Sequence, residues 1–87
     1  MKTIWKQQLA ITDTQIISVP GGSRFLTVQM QNGVPCIWYI VDTEESGRSQ
    51  YEFTTVGTGN PIDELIGNYL GTYQKGPLVF HVFYRLN

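Results

Sequence analysis

The chain has 87 residues and a mass of 9.9 kDa, so we expect one domain over residues 1–87, because chains divide into separate cores only beyond roughly 250 residues. Six Lys and Arg against seven Asp and Glu give a net charge of −1, with no block of like charges in the sequence, so binding to duplex nucleic acid has no support. Hydrophobic residues make up 41% of the chain, too many for a disordered segment. Because so small a chain builds only a thin core, we expect a homo-oligomer.

Cysteine content and hydropathy indicate the compartment. The single cysteine, Cys36, cannot form a disulfide within the chain, which favours a reducing environment. The N-terminal segment carries Lys2 and Lys6 without an apolar run between them, and every other purely apolar stretch is short. Neither a signal peptide nor a membrane span is therefore expected, and the predicted location is the cytoplasm.

The N-terminal half consists of short β-rich runs separated by turn residues. Residues 3–9 and 14–19 predict the first two strands. Residues 25–31 and 34–41 predict a hairpin, because the Asn32-Gly33 pair between them tolerates the positive φ angles of a type I′ turn. Strands therefore dominate this half of the chain.

The predicted hairpin register separates two faces. A two-residue turn places Met30, Val28 and Leu26 opposite Pro35, Ile37 and Tyr39, and this apolar set predicts a core face. On the other face Gln31 lies opposite Val34, Gln29 opposite Cys36, and Thr27 opposite Trp38. Amides beside a large aromatic ring suit neither a dry core nor an ordinary wet surface, so Gln29, Gln31 and Trp38 are candidate ligand contacts.

The C-terminal half continues the β pattern after a polar loop at residues 42–49. Residues 50–56 predict a strand, and Asn60-Pro61 predicts a short helical turn, which we favour over a helix reaching residue 70 because Gly67 would weaken it. Residues 70–74 and 78–86 predict a closing hairpin whose last strand, apolar on both faces, is central or lies at a subunit contact. The predicted fold is an all-β antiparallel sandwich or barrel of six to seven strands with one short helical turn.

The loop of Gly57, Thr58, Gly59 and Asn60 is the strongest local candidate for a site. A glycine-rich loop exposes backbone N–H groups, and a helix that starts behind it would add positive potential. Phosphate would fit there, although the loop matches neither GxxxxGK[ST] nor GxGxxG, and a simple strand-to-turn connection is the favoured explanation. The sequence leaves both interpretations open.

Other reactive residues point to little chemistry. Cys36 and His81 are the one possible thiol–imidazole pair, but Cys36 lies in an apolar strand and is expected to be a buried structural thiol. The lone His81 is expected to be satisfied by a backbone carbonyl, and without a second His or a CxxC pair no metal or cofactor is expected. A thiol hydrolase is the least favoured of the functional hypotheses, and no catalytic residue is assigned.

Several segments together resemble a family of bacteriophage and prophage proteins of unknown function. They are Thr3-Ile4-Trp5-Lys6, Val28-Gln29-Met30-Gln31-Asn32-Gly33 followed by Cys36-Ile37-Trp38, and Gly57-Thr58-Gly59-Asn60-Pro61-Ile62. Such relatives often carry His where this chain has Asn60, so no role for that histidine transfers. The resemblance implies a phage-encoded protein of the host bacterial cytoplasm and assigns no chemistry.

Two functional hypotheses follow from different classes. In the first, a non-enzymatic phage protein captures a small nucleotide-derived ligand, such as a host immune signal, through the 57–60 loop and the face that carries Trp38. In the second, the same face is a structural or host-protein contact with no small-molecule ligand. Whether the loop and Trp38 adjoin is not evident from the sequence.

Overall fold

The seven strands of the chain pair into two antiparallel sheets in a computed structural model that describes residues 1–87. In chain order they are β1 (Lys2–Gln8), β2 (Thr14–Pro20), β3 (Arg24–Gln31), β4 (Val34–Asp42), β5 (Arg48–Gly57), β6 (Asn68–Lys75) and β7 (Leu78–Leu86). The three-stranded sheet has the order β1-β4-β3, and the four-stranded sheet has the order β2-β5-β7-β6. The predicted all-β sandwich is confirmed.

The core lies between the two sheets. Alternation along β4 points Ile37, Tyr39 and Val41 inward, where they meet Phe53 and Val82 of the other sheet. Burial raises the pKa of the Tyr39 phenol, and the nearby positive charge of Arg48 offsets part of this rise. Strand β7 is apolar on both faces because it is central, paired with β5 and β6. No helix that could cross a bilayer is present.

The β3–β4 hairpin has the predicted turn. Asn32 and Gly33 both have positive φ, at 51° and 80°, as a type I′ turn requires. The predicted register also holds from Gln31–Val34 to Thr27–Trp38. Beyond that pair the prediction is wrong, because a β-bulge lies between Phe25 and Thr27 and places Phe25, instead of Leu26, opposite Tyr39. Leu26 is 41% exposed as a result.

Residues 58–67 form an extended loop with two turns, so the predicted helical turn is wrong. The first turn closes through the Asn60 N–H, which donates to the Gly57 carbonyl. The second closes at Asp63, whose carboxylate accepts from the Leu65 N–H at 2.7 Å and whose carbonyl accepts from the Ile66 N–H. Arg85 holds the loop down, because its guanidinium donates to the Leu65 carbonyl at 2.8 Å. These tertiary contacts outweigh the weak local signal for a helix.

Candidate functional site

A cleft of about 260 Å³ lies between the 57–60 loop and the outer face of the four-stranded sheet. Gly57 ends β5, and the Thr58 N–H donates to the Val79 carbonyl at 3.1 Å, so the chain turns back across the sheet. The cleft, called here the loop cleft, is lined by Val56, Gly57, Thr58, Gly59, Asn60, Ile62, Tyr69, His81 and Phe83. All four predicted loop residues therefore border one cavity.

A continuous chain of hydrogen bonds runs along the floor of the loop cleft. The Tyr69 phenol lies 2.5 Å from Thr72 Oγ1, and Thr72 Oγ1 lies 2.9 Å from His81 Nδ1. On the other side of the ring, His81 Nε2 lies 2.7 Å from Thr58 Oγ1. The network joins β6, β7 and the loop, so it fixes the positions of Tyr69 and Thr58 relative to each other.

Two arrangements of protons satisfy the whole chain, one for each tautomer of the His81 ring. In the first, Tyr69 donates to Thr72, Thr72 donates to Nδ1, and the Nε2–H donates to Thr58, which donates to the Val79 carbonyl at 3.4 Å. In the second, every bond between these side chains runs in the opposite direction. The predicted backbone-carbonyl partner for His81 is wrong, since both ring nitrogens bond threonine hydroxyls. The His81 imidazole fixes the positions of the Thr58 and Thr72 hydroxyls, and neither ring nitrogen is free to bind a metal ion.

Tyr69 presents the largest aromatic surface at the loop cleft. Its side chain is 58% exposed, and its ring packs edge-on against Phe83 with centroids 5.6 Å apart. Because one ring edge is supported and the hydroxyl is anchored on Thr72, a face of the ring is presented in a fixed orientation. This arrangement suits the stacking of a flat ligand ring.

Few backbone amides of the 57–60 loop are free to contact a phosphate. The Thr58 N–H and the Asn60 N–H donate to the Val79 and Gly57 carbonyls, Pro61 has no N–H, and the Gly59 N–H has no backbone acceptor. No helix follows the loop, so a helix dipole does not contribute. The role of the 57–60 loop as a ligand contact stays a prediction.

Gln29, Gln31 and Trp38 lie elsewhere, on the outer face of the three-stranded sheet. Trp38 pairs with Lys6 and Thr27 in one row, and Cys36 pairs with Gln29 in the next. Gln31 accepts a hydrogen bond from Lys6 Nζ at 2.6 Å. These three residues line none of the clefts of the structure. Within one chain the structure does not bring the two predicted halves of the site together.

Cys36 and His81 are also on different sheets. Cys36 alternates with the inward-facing Ile37, and His81 alternates with the inward-facing Val82, so each side chain points to the outside of its own sheet. Cys36 is a free, buried thiol as expected. The two groups cannot form a thiol–imidazole pair. No cluster of three His, Cys, Asp or Glu side chains suitable for a metal ion is present.

A second cleft of about 460 Å³ lies at the end of the sandwich and shares Val56, Gly57 and Asn60 with the loop cleft. Tyr73 and Phe80 form its inner wall, and residues 11–13 form its rim. Burial raises the pKa of the Tyr73 phenol, so Tyr73 is a neutral wall residue at physiological pH. Asn60 therefore stands between two adjoining cavities.

Sequence reasoning missed Tyr69, His81 and Phe83 as residues of the cleft. The signal was present in part, because alternation along β7 assigns His81 and Phe83 to one face. The sequence did not show that the loop after β5 crosses that same face. This crossing depends on Gly67, where a Cβ would collide with the Tyr84 carbonyl oxygen, so only glycine lets the chain pass.

The comparisons with known proteins identify a family but no activity. A family described as "Domain of unknown function (DUF7352)" matches the chain over residues 1–87. No curated protein and no solved structure matches it. The geometry of the site is therefore the basis for any functional assignment.

Proposed function

The chain belongs to the family described as domain of unknown function (DUF7352), and we propose that it is a non-enzymatic protein that captures a small nucleotide-derived ligand in the loop cleft. The observation that carries the proposal is the exposed, hydrogen-bonded Tyr69 ring over a cleft of about 260 Å³. The ligand-binding residues predicted at the loop, Gly57 to Asn60, keep this role. The role of Gln29, Gln31 and Trp38 is reassigned below.

Stacking is the main interaction in this proposal. A nucleobase placed on the Tyr69 face would gain about 1–3 kcal/mol, as bases do on aromatic side chains. The side wall of the cleft is apolar through Val56, Ile62 and Phe83, which favours a flat ring over a strongly hydrated group. The network through His81 holds Tyr69 in place before binding, which lowers the entropy cost of capture.

The polar part of the ligand would lie at the mouth of the cleft. The exposed Asn60 amide and the Gly59 N–H are the donors there, and the amide side chain can also accept from a base edge. No Lys or Arg lines the loop cleft. Phosphate groups of the ligand would therefore point toward solvent, and the base would supply the affinity. A phage-encoded protein in the bacterial cytoplasm would in this way sequester a host signal nucleotide.

Direct capture tests the proposal. The purified chain would be incubated with a nucleotide extract of immune-activated bacteria, washed and denatured, and the released compounds identified by mass spectrometry. A panel of adenosine, AMP, ADP-ribose and cyclic dinucleotides would then be measured by thermal shift and calorimetry. Recovery of an unmodified nucleotide supports capture, whereas recovery of a chemically altered product, or no binding from either source, contradicts the proposal.

Variants locate the binding site. Tyr69→Leu removes the stacking face and should weaken binding about 5- to 150-fold, as expected for loss of about 1–3 kcal/mol. Tyr69→Phe keeps the ring and should retain most of the affinity. Trp38→Leu is the matched control on the opposite sheet and should bind as the wild type does. Loss of binding in Trp38→Leu alone would place the site on the other face.

The second hypothesis, a protein-interaction module, is favoured by one specific observation. The outer face of the three-stranded sheet exposes Ile4 at 56% and Leu26 at 41%, next to the half-buried Trp38 and Ile40. Such an apolar cluster on a small domain marks a contact surface.

A further inference from the structure

The strands of the three-stranded sheet carry more positively than negatively charged side chains. Its outer face bears Lys2, Lys6 and Arg24 around Ile4, Leu26 and Trp38, and it is called here the basic face. The only acidic residue of the three strands is Asp42, which is already paired with the N-terminal amino group at 3.4 Å. Half of the six Lys and Arg residues of the chain therefore surround one exposed apolar cluster.

The opposite side of the molecule carries the complementary pattern. Residues 62–65, called here the acidic segment, place Asp63 and Glu64 between Ile62 and Leu65, which are 57% and 71% exposed. Glu64 forms no ion pair within the chain. The segment is presented in a fixed shape, because the Asp63 turn closes it and Arg85 holds the Leu65 carbonyl.

We infer that the basic face of one chain binds the acidic segment of a second copy. The aliphatic side chains Ile62 and Leu65 would cover Ile4 and Leu26, while Glu64 approaches Lys6 and Arg24. Opposite charge around an apolar centre specifies both orientation and partner. This inference does not require a ligand, although Ile62 also lines the loop cleft, and it assigns the Trp38 face to a contact between copies.

The geometry also predicts the kind of assembly. The two surfaces lie on the outer faces of opposite sheets of a flat molecule of 41 × 30 × 16 Å. Each copy therefore offers one surface of each kind, so the contact is head-to-tail. Such contacts build rings or open filaments, whereas a twofold dimer would use the same surface on both copies.

Light scattering on the full chain tests this inference. In dilute salt the weight-average mass should rise above 9.9 kDa with concentration. At about 0.5 M NaCl, where the Debye length falls to roughly 4 Å, it should decrease toward the monomer value. A monomer at millimolar concentration in dilute salt would overturn the inference.

Charge reversal distinguishes a head-to-tail contact from other modes. Lys6→Glu blocks the basic face and Glu64→Lys blocks the acidic segment, so each variant alone should be a monomer. Mixed in equal amounts, they should assemble again, because the unchanged acidic segment of Lys6→Glu meets the unchanged basic face of Glu64→Lys, and the two reversed charges attract each other at the next contact. A mass of Glu64→Lys alone that rises with concentration as for the wild type, or no rise in mass when the two variants are mixed, would overturn the inference.

Two further variants control for net charge and folding. Lys75→Glu makes the same charge change at the end of β6, where the ammonium group bonds the Gly33 carbonyl of the β3–β4 turn and lies outside the cluster of Ile4, Leu26 and Trp38, and it should assemble as the wild type does. Lys2→Glu replaces Lys6→Glu if circular dichroism shows that the latter is unfolded, and the same mixing result is expected. Assembly lost equally in Lys75→Glu would show a nonspecific charge effect and refute the specific contact.

Discussion

The two sheets approach each other most closely where β6 crosses Val28 of β3, and Gly71 is the residue that permits the approach. A Cβ on Gly71 would lie 2.9 Å from Val28 Cγ1, closer than real methyl groups come. Val28 is fully buried and β-branched, so it cannot rotate away easily. Overpacking of this kind costs about 1–3 kcal/mol.

We therefore expect Gly71→Ala to destabilise the fold by about 1–2 kcal/mol, because a lower entropy of the unfolded chain offsets about 0.5–1 kcal/mol of the overpacking. For a domain of this size, the melting temperature should fall by roughly 5–15 °C in a calorimetric scan. Gly21→Ala is the control, since a Cβ there would meet only ordinary contacts, the nearest at 3.5 Å. Its melting temperature should not fall.

A double-mutant cycle tests the physical cause. Val28→Ala alone should cost about 2–3 kcal/mol, since it removes buried carbon atoms and leaves a cavity. In the double variant with Gly71→Ala, the new methyl group enters the space that Val28 vacates. The double variant should therefore be more stable than the sum of the single effects by at least about 1 kcal/mol. Additive losses, or an unchanged melting temperature for Gly71→Ala, would refute the steric argument.

Three further predictions concern single sites. Gly33→Val should lower the free energy of unfolding by about 1–2 kcal/mol through backbone strain alone, because the φ of Gly33 is 80° and a Cβ there meets nothing within 4 Å. Urea titration measures this loss, and an unchanged midpoint would exclude the type I′ turn. Cys36→Ser should lower stability by about 1 kcal/mol by burying a hydroxyl, yet leave ligand capture intact; a folded variant that fails to bind would implicate the thiol. The pKa of Asp42 is lowered chiefly because its carboxylate accepts a hydrogen bond from the Glu44 N–H. The ionised carboxylate therefore stabilises the fold above the usual pKa of about 3.9, and this stabilisation is lost as the pH falls further. The melting-temperature gap between wild type and Asp42→Asn should close toward pH 2, and a gap that widens in acid would contradict this assignment.

The strands were predictable because their signals are local. Asn32-Gly33 specifies a turn, and that turn sets the register of the hairpin out to Thr27. The bulge at Leu26 was not predictable, since it moves Phe25 into an aromatic cluster with rings from β5 and β7, and those partners are distant in sequence. Local pattern therefore described the hairpin but not the point at which tertiary packing changes its register.

The candidate site was only partly predictable for a related reason. The 57–60 loop was identified from its glycines, but its use of backbone amides depends on the Val79 carbonyl of a different strand. His81 was assigned a structural role from its apolar neighbours, whereas its two hydroxyl partners come from β6 and the loop. A site assembled from three separate elements has no contiguous sequence signature.

The pairing of the first two strands limits the order in which this chain can fold. β1 and β2 follow each other in the chain but enter different sheets, and their partners β4 and β5 are the third strand along in each case. During synthesis the N-terminal strands must therefore wait unpaired until residues near 42 and 57 have left the ribosome. We expect the β3–β4 and β6–β7 hairpins to form first and β1 and β2 to join them later, giving folding in milliseconds to seconds, as is typical of topologies dominated by distant pairings.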